Sequence, residues 1–209
     1  MKITEYLAQS SKTLFSIEIL PPIKGDSIQT IFDGIDPLME FKPKFVDVTY
    51  HREEYVYSNN ADGTESKRRI WKRPGTVGIS AAIMNRYKVD AVPHVLCGGF
   101  NKEETENMLL DLHFLGIDNV LILRGDHIKS DGVFKPHEEG YCYATELLQA
   151  VENMNKGIYL DESLNSPAPT NFCTGVAAYP EKHFEAVSMD TDMQYLKLKQ
   201  DLGVDYIVI

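Results

Sequence analysis

Cysteine is scarce, with Cys97, Cys142 and Cys173 the only three in 209 residues. Their odd number, wide spacing and lack of any C-x-x-C pair exclude a disulfide framework and a cysteine-rich zinc site, and fit a reducing compartment. Positive charge is also short: 21 Lys and Arg stand against 31 Asp and Glu, for a formal net charge of -10. A general nucleic-acid binder needs a basic face to neutralise phosphates, and the basic residues here are mostly dispersed, so nucleic acid is not an expected partner. No stretch approaches the roughly eighteen apolar residues of a membrane-spanning helix, and the opening MKITEYLAQS has no apolar core of the kind a secretory signal carries. Neither a membrane nor export is expected, and the cytoplasm is.

Hydrophobic content is ordinary at 43%, and its arrangement is informative. Short β-branched runs recur as FSIEIL at 15–20, FVDVTY at 45–50, AVPHVLC at 91–97, NVLILRG at 119–125, TGVAAY at 174–179 and DYIVI at 205–209. Between them lie IQTIFDGIDPLMEF, GTVGISAAIMNRY, NKEETENMLLDLHFLG and MDTDMQYLKLKQDLG, with apolar residues three and four apart. The third of these has Asn101 as its cap, Glu103, Glu104 and Glu106 in its first turns and Gly116 at its close, an arrangement that suits the helix dipole. Strand and helix alternate along the chain.

The runs VLIL and FVDV are nearly continuous in apolar character, as expected where helices cover both faces of a parallel sheet. No G-x-G-x-x-G follows the first strand, where Pro-Pro-Ile-Lys-Gly stands instead, so a dinucleotide-binding open sheet is disfavoured. The expected fold is α/β, a (β/α)8 TIM barrel of which this chain covers about the first six strands. A barrel needs eight strands and about 250 residues. Residues 1–209 therefore read as one barrel domain, incomplete at its C-terminal side, with an unpaired parallel edge and an exposed apolar wall.

Two stretches break the alternation. Residues 51–75 hold a polar Asn-Asn-Ala-Asp-Gly turn and the basic residues Lys67, Arg68, Arg69, Lys72 and Arg73, which read either as a solvated excursion or as an anion-binding lid. Residues 153–172, rich in Asn, Ser and Pro, read as a loop between elements.

In a parallel barrel the loops after the strands' C-terminal ends build the active site. Polar residues gather at those ends: Glu18 on the first strand, Thr49-Tyr50-His51 after the second, His94 on the third, Arg124-Gly125-Asp126 after the fourth, and Tyr179 with His183 after the fifth. Each has a plain reading. Glu18 could partner a buried arginine, His94 could be a satisfied core histidine, Arg124 and Asp126 could belong to local ion pairs, and Gly125 could be a turn. Their coincidence at successive strand ends points to a site. A glutamic acid at the mouth of an apolar barrel loses hydration, which raises its pKa toward neutrality and fits it to donate a proton. Arg124 and the basic stretch could neutralise a phosphate, Gly125 would let a flat ring approach the backbone, and Asp126 could accept from the N–H edge of a heterocycle. An alternative places His94, Asp126, His127 and His183 around a divalent cation in a metal-dependent hydrolase or lyase, although no H-x-H follows the first strand.

With these residues in view, the chain resembles the methylenetetrahydrofolate reductases, flavoprotein (β/α)8 barrels of one-carbon metabolism and methionine biosynthesis. The likeness is carried by FSIEILPP, FVDVTY, the PHVLC around His94, LILRGD, CYATELL at 142–148, and AAYPEKHFEA followed by D-x-x-x-L-K-x-K. Alone, LRGD or VTY would say little; their order and intervals span nearly all of residues 14–209. The resemblance implies reduction of 5,10-methylenetetrahydrofolate to 5-methyltetrahydrofolate by a ping-pong route, in which NADH or NADPH reduces a non-covalent FAD and the folate then takes the same flavin face. It implies that Glu18 protonates a folate nitrogen to open the methylene-bridged ring. It also places Asp126 between flavin and folate, binding the pterin and holding down the flavin's potential by its charge. Thr49, Tyr50, His94, Arg124, Gly125, Asp126, Tyr143, Ala144, Tyr179, His183, Ala186, Asp192 and Lys199 would line the FAD site, and a homo-oligomer of two or four subunits is implied. The chain departs from the family pattern at His51-Arg52, where small residues often follow, and at Tyr195 and Leu198, where polar flavin contacts would be convenient. The family's T-Q segment and Phe-rich stretch, which contact folate and nicotinamide, do not occur, so this chain by itself is expected to bind FAD poorly or to be an inactive fragment.

Overall fold

The computed structural model describes residues 1–128 and 132–209. Eight strands are found among them: β1 (Ile17–Ile19), β2 (Phe45–Val48), β3 (Glu54–Asn59), β4 (Glu65–Ile70), β5 (Asp90–Leu96), β6 (Asn119–Leu123), β7 (Cys173–Ala177) and β8 (Tyr206–Val208). Six of them form one curled, wholly parallel sheet in the order β1-β2-β5-β6-β7-β8, which is the first part of a (β/α) barrel. These are the six apolar runs of the sequence, in sequence order. They are trimmed at their ends for identifiable reasons: Pro21 and Pro22 have no N–H to continue the ladder after Ile19, so FSIEIL contributes only three residues.

The helices are α1 (Ile3–Gln9), α2 (Gln29–Ile35), α3 (Thr76–Tyr87), α4 (Lys102–Phe114), α5 (Ala144–Met154) and α6 (Met189–Asp201). The segment IQTIFDGIDPLMEF is not one helix. It tightens into a 3₁₀ turn over Asp36–Phe41, because the Pro37 ring excludes a continuous α-helical ladder. In α4 the expected cap is present: the Asn101 side chain accepts from the Glu104 N–H at 2.8 Å while Glu104 reaches back to the Asn101 N–H at 2.9 Å. No helix of the described residues is long and apolar enough to cross a membrane.

Packing divides into three parts. On the convex face of the sheet, Ile17, Val46 and Val48 meet Ile31 and Ile35 of α2 and Ile79 and Ile83 of α3. Further along that face Val95, Val120, Ile122 and Val176 meet Leu109 and Leu112 of α4, Leu147, Leu148 and Val151 of α5, and Phe172. The concave face is filled near the strand starts by Val92, Leu121 and Cys173, with Ile3 of α1 packed among them. Polar contacts fix that plug: the Ile3 N–H donates to Asn119 Oδ1 at 2.9 Å, and the amino group of Met1 and the Tyr6 hydroxyl reach Asp90 at 2.9 and 2.6 Å. Asp90 and Asn119 open β5 and β6, so α1 covers the N-terminal end of the sheet.

At the β8 edge Ile207, Val208 and Ile209 are exposed, and α6 has no fully buried residue, as an open parallel edge predicts. The excursion at 51–75 is a two-stranded antiparallel ribbon rather than a structureless loop, with Tyr55 opposite Arg69 and Tyr57 opposite Lys67. Lys67 sits 3.6 Å from the Tyr55 ring centre and Arg69 lies 4.4 Å from that of Trp71. The ribbon's base is tied to the loop after β1, where the Lys24 N–H donates to the Lys72 carbonyl at 2.8 Å and the Arg73 guanidinium donates to the Pro21 carbonyl.

Candidate active site

Parallel in-register pairing sets Glu18 of β1 beside Asp47 of β2, and Asp47 beside Val92 of β5. Neighbours in one register row share a face of the sheet, and His94, two residues beyond Val92, shares it as well. Glu18 Oε2 lies 3.7 Å from His94 Nε2. Burial, and secondarily the nearby His51, pushes the His94 imidazole down to about 4, so the ring is neutral near pH 7 and the approach to Glu18 is not an ion pair. Among the described residues no hydrogen-bond partner reaches His94 Nε2.

The desolvation expected at Glu18 is not found there, because its side chain is 61% exposed. The desolvated carboxyl is Asp47, half-buried one strand over, which burial and then the charge of Glu18 push up to about 7. Sequence reasoning passed over Asp47 although it interrupts an apolar run just as Glu18 does. Tyr206 adds a buried hydroxyl without a partner among the described residues, its ring filling space that a Cβ at Gly175 would occupy.

Asp47 gives a stability prediction. Its folded-state pKa lies above the ordinary value near ~3.9, so its contribution is intact below about pH 4 and lost as pH rises through about 7. Asp47→Asn should therefore match the parent in urea unfolding at pH 4 and exceed it at pH 8, by at most about 4 kcal/mol. Equal stability at both pH values would contradict the assignment.

The loops at the strands' C-terminal ends hold the remaining expected residues. Thr49 ties β2 to β1, its N–H and its Oγ1 each donating to the Ile19 carbonyl at 3.1 Å. Tyr50 packs on Phe100 with ring centres 5.3 Å apart, and burial pushes its hydroxyl up to about 12. Arg124 pairs with Glu185 at 2.5 Å and lies 4.9 Å from the Phe134 ring centre, so its charge is already partly met; the Arg124 hydrogen bond holds Glu185 below the usual carboxylate range. Gly125 has φ +82, and a Cβ there would sit 3.1 Å from Leu96 Cδ1. The Asp126 side chain is exposed.

Tyr143 and Ala144 start α5, and the Tyr143 ring stacks at 6.3 Å on Tyr195. Tyr179 and His183 meet edge to face at 4.8 Å. The His183 N–H donates to Asp192 Oδ2 at 2.7 Å, the Ala186 carbonyl accepts from Lys182 Nζ at 2.6 Å, and Lys199 Nζ donates to the Ala177 carbonyl at 2.8 Å. Asp192 and Lys199 thus fasten α6 to the chain after β7. Burial lowers the Lys199 pKa.

A cleft of about 460 Å³, within the range of small-molecule sites, opens between these loops, and Arg124, His127, Phe134, Tyr143, Phe184 and Glu185 line it. Glu18 does not line it and stands instead on the β1–β5 side of the mouth, beside His94. Among the described residues no three His, Cys, Asp or Glu side chains are placed to hold a metal ion, so His94, Asp126, His127 and His183 are not assembled as ligands. Glu185 and Phe134 were not singled out in the sequence; both meet Arg124, Glu185 from far along the chain and Phe134 from within the same loop, and no local pattern marks either.

A family model described as methylenetetrahydrofolate reductase matches residues 2–209. The chain is 32% identical over 212 residues to methylenetetrahydrofolate reductase 1 of Schizosaccharomyces pombe, covering 100% of this chain and 30% of that protein. Against 5,10-methylenetetrahydrofolate reductase of Escherichia coli it is 31% identical over 190 residues, covering 91% of this chain and 52% of the relative. Against methylenetetrahydrofolate reductase (NADH) 1 of Arabidopsis thaliana it is 27% identical over 220 residues, covering 100% and 32%. The chain thus spans about a third of these eukaryotic relatives and about half of the bacterial one.

Proposed function

The chain belongs to the methylenetetrahydrofolate reductase family, and on that premise we propose that it forms the catalytic mouth of a flavin-dependent reductase acting on 5,10-methylenetetrahydrofolate. The match over residues 2–209 carries this reading. The cleft supports it: Phe134, Tyr143 and Phe184 supply flat apolar walls and Arg124 a cation that would exchange Glu185 for a phosphate, while Gly125, next to Arg124 in the chain, leaves the backbone there without a Cβ. Bound there, FAD would relay two electrons from NADH or NADPH to the folate in two separate half-reactions.

The protein's own groups place and protonate the substrate. Glu18 delivers a proton to a folate nitrogen so that the methylene-bridged ring opens. Its side chain is 61% exposed without ligands, so the loss of water that favours a protonated carboxyl would come from the bound flavin and folate covering the mouth. Neutral His94, 3.7 Å away, flanks Glu18 without neutralising it. Asp126 accepts from the pterin, and its negative charge disfavours electron gain by a flavin beside it. Arg124, Tyr143 and Tyr179 border the cofactor.

The test is spectroscopic. The whole protein as isolated should show flavin absorbance, bleach under argon on addition of NADH or NADPH, and recover its colour when 5,10-methylenetetrahydrofolate is added. A colourless protein that takes up no FAD would overturn the reading.

A further inference from the structure

We propose that Arg52 is a positioning residue whose guanidinium clamps the loop after β6 and so fixes Asp126 at the mouth of the sheet. Arg52 follows β2 by four positions and its side chain is only 11% exposed. Nη1 donates to the Asp126 carbonyl and Nη2 to the Lys135 carbonyl, each at 3.2 Å. The guanidinium also lies 5.2 Å from the Phe134 ring centre, and Nη2 is 3.5 Å from Glu53 Oε1, whose side chain is 5% exposed.

The floor beneath the clamp is built for it. A Cβ at Gly98 would stand 2.7 Å from both Arg52 Cζ and Nη1, and one at Gly99, where φ is +91, would stand 2.5 Å from Glu53 Oε2. Any side chain at either glycine would displace the pair. An arginine is required at 52 because a planar fork can bond two carbonyls while stacking on a ring, which a point-charged ammonium cannot. Glu53 in turn keeps the buried cation paired. Among the described residues, Arg52 is the only side chain that hydrogen-bonds Asp126.

Arg52→Lys tests the clamp, because it keeps a cation beside Glu53 and removes the fork. In the whole protein without flavin, amide hydrogen exchange over 124–128 and 132–136 should quicken about tenfold while α4 is unchanged. In the flavin-loaded protein the flavin midpoint potential should rise, in the direction that Asp126→Asn moves it, since the charge at position 52 is kept and only the carboxylate has moved. If Arg52→Lys does not fold, the double variant Arg52→Met with Glu53→Gln removes both buried charges and carries the same two readouts. Unchanged exchange would overturn the clamp. Faster exchange with an unmoved potential would overturn the role at Asp126. The potential arm rests on the flavin reading above, whereas the exchange arm does not, so a protein that binds no flavin fails that reading and leaves exchange to decide the clamp.

Discussion

Glu18→Gln should abolish folate turnover in the whole protein while leaving reduction of its flavin by NADH or NADPH intact. Glutamine keeps the size and hydrogen-bonding shape of the side chain but has no carboxyl proton to give. A positioned general acid contributes roughly 10²–10⁴ in rate, so a loss of about 10³ is expected in the folate half-reaction alone. The fold should not suffer: the side chain is 61% exposed, and His94 Nε2, 3.7 Å away, is uncharged near neutral pH. Stopped-flow absorbance separates the two half-reactions. Equal loss in both would mean that Glu18 supports the site in general and is not the folate's acid.

The second large effect concerns stability. Phe172 is 2% exposed and packs in the cluster of Leu109 and Leu112 from α4 and Leu147 and Met154 from α5, with His113 edge-on at 6.1 Å. The approach to β7 is held there by Asn155, whose Oδ1 accepts from the Phe172 N–H at 2.8 Å and whose Nδ2 donates to the Phe172 carbonyl at 2.9 Å. The backbone at Phe172 is thus pinned while its ring packs between two crossover helices. Phe172→Ala should cost about 3–5 kcal/mol in urea unfolding, against a total near 5–15 kcal/mol for an ordinary domain. Phe172→Leu should cost well under half as much. A loss below about 1 kcal/mol for alanine would show that the cavity collapses and that this cluster does not carry the fold.

The order of strands and helices was legible because each parallel strand is covered on both faces and so reads as an apolar run, as VLIL does for β6. Strand ends were less legible, since Pro21 and Pro22 act by removing donors rather than by changing apolar content. Two helices lie outside the segments identified by periodicity. In α5 the core residues Leu147, Leu148, Val151 and Met154 do recur at helical spacing, but its start was read only as a family motif and its end runs into the Asn- and Pro-rich loop. In α1 the helix is seven residues long and buries only Ile3. The ribbon of β3 and β4 is exposed along most of its length, and the fact that Lys67 rests on Tyr55 follows from cross-strand register, which local composition does not state.

At the candidate site the strand-end rule named residues by their place in the sequence, while the pairing among them was hidden. Glu18 was visible because a carboxylate interrupted an apolar run. Asp47 carried the same mark, and only the register of β1 on β2 shows that the two carboxyls are neighbours and that the less exposed one is desolvated. The partners of Arg124 and Arg52, namely Glu185 and the Asp126 and Lys135 carbonyls, lie far along the chain, and tertiary folding alone brings them together.

A crystal structure of the whole protein with FAD and a folate bears most directly on the central claim. The flavin should lie at the C-terminal end of the strands, with the pterin between the carboxylates of Glu18 and Asp126. Ligands seated at the end covered by α1, or those two carboxylates on opposite sides of the protein, would contradict it.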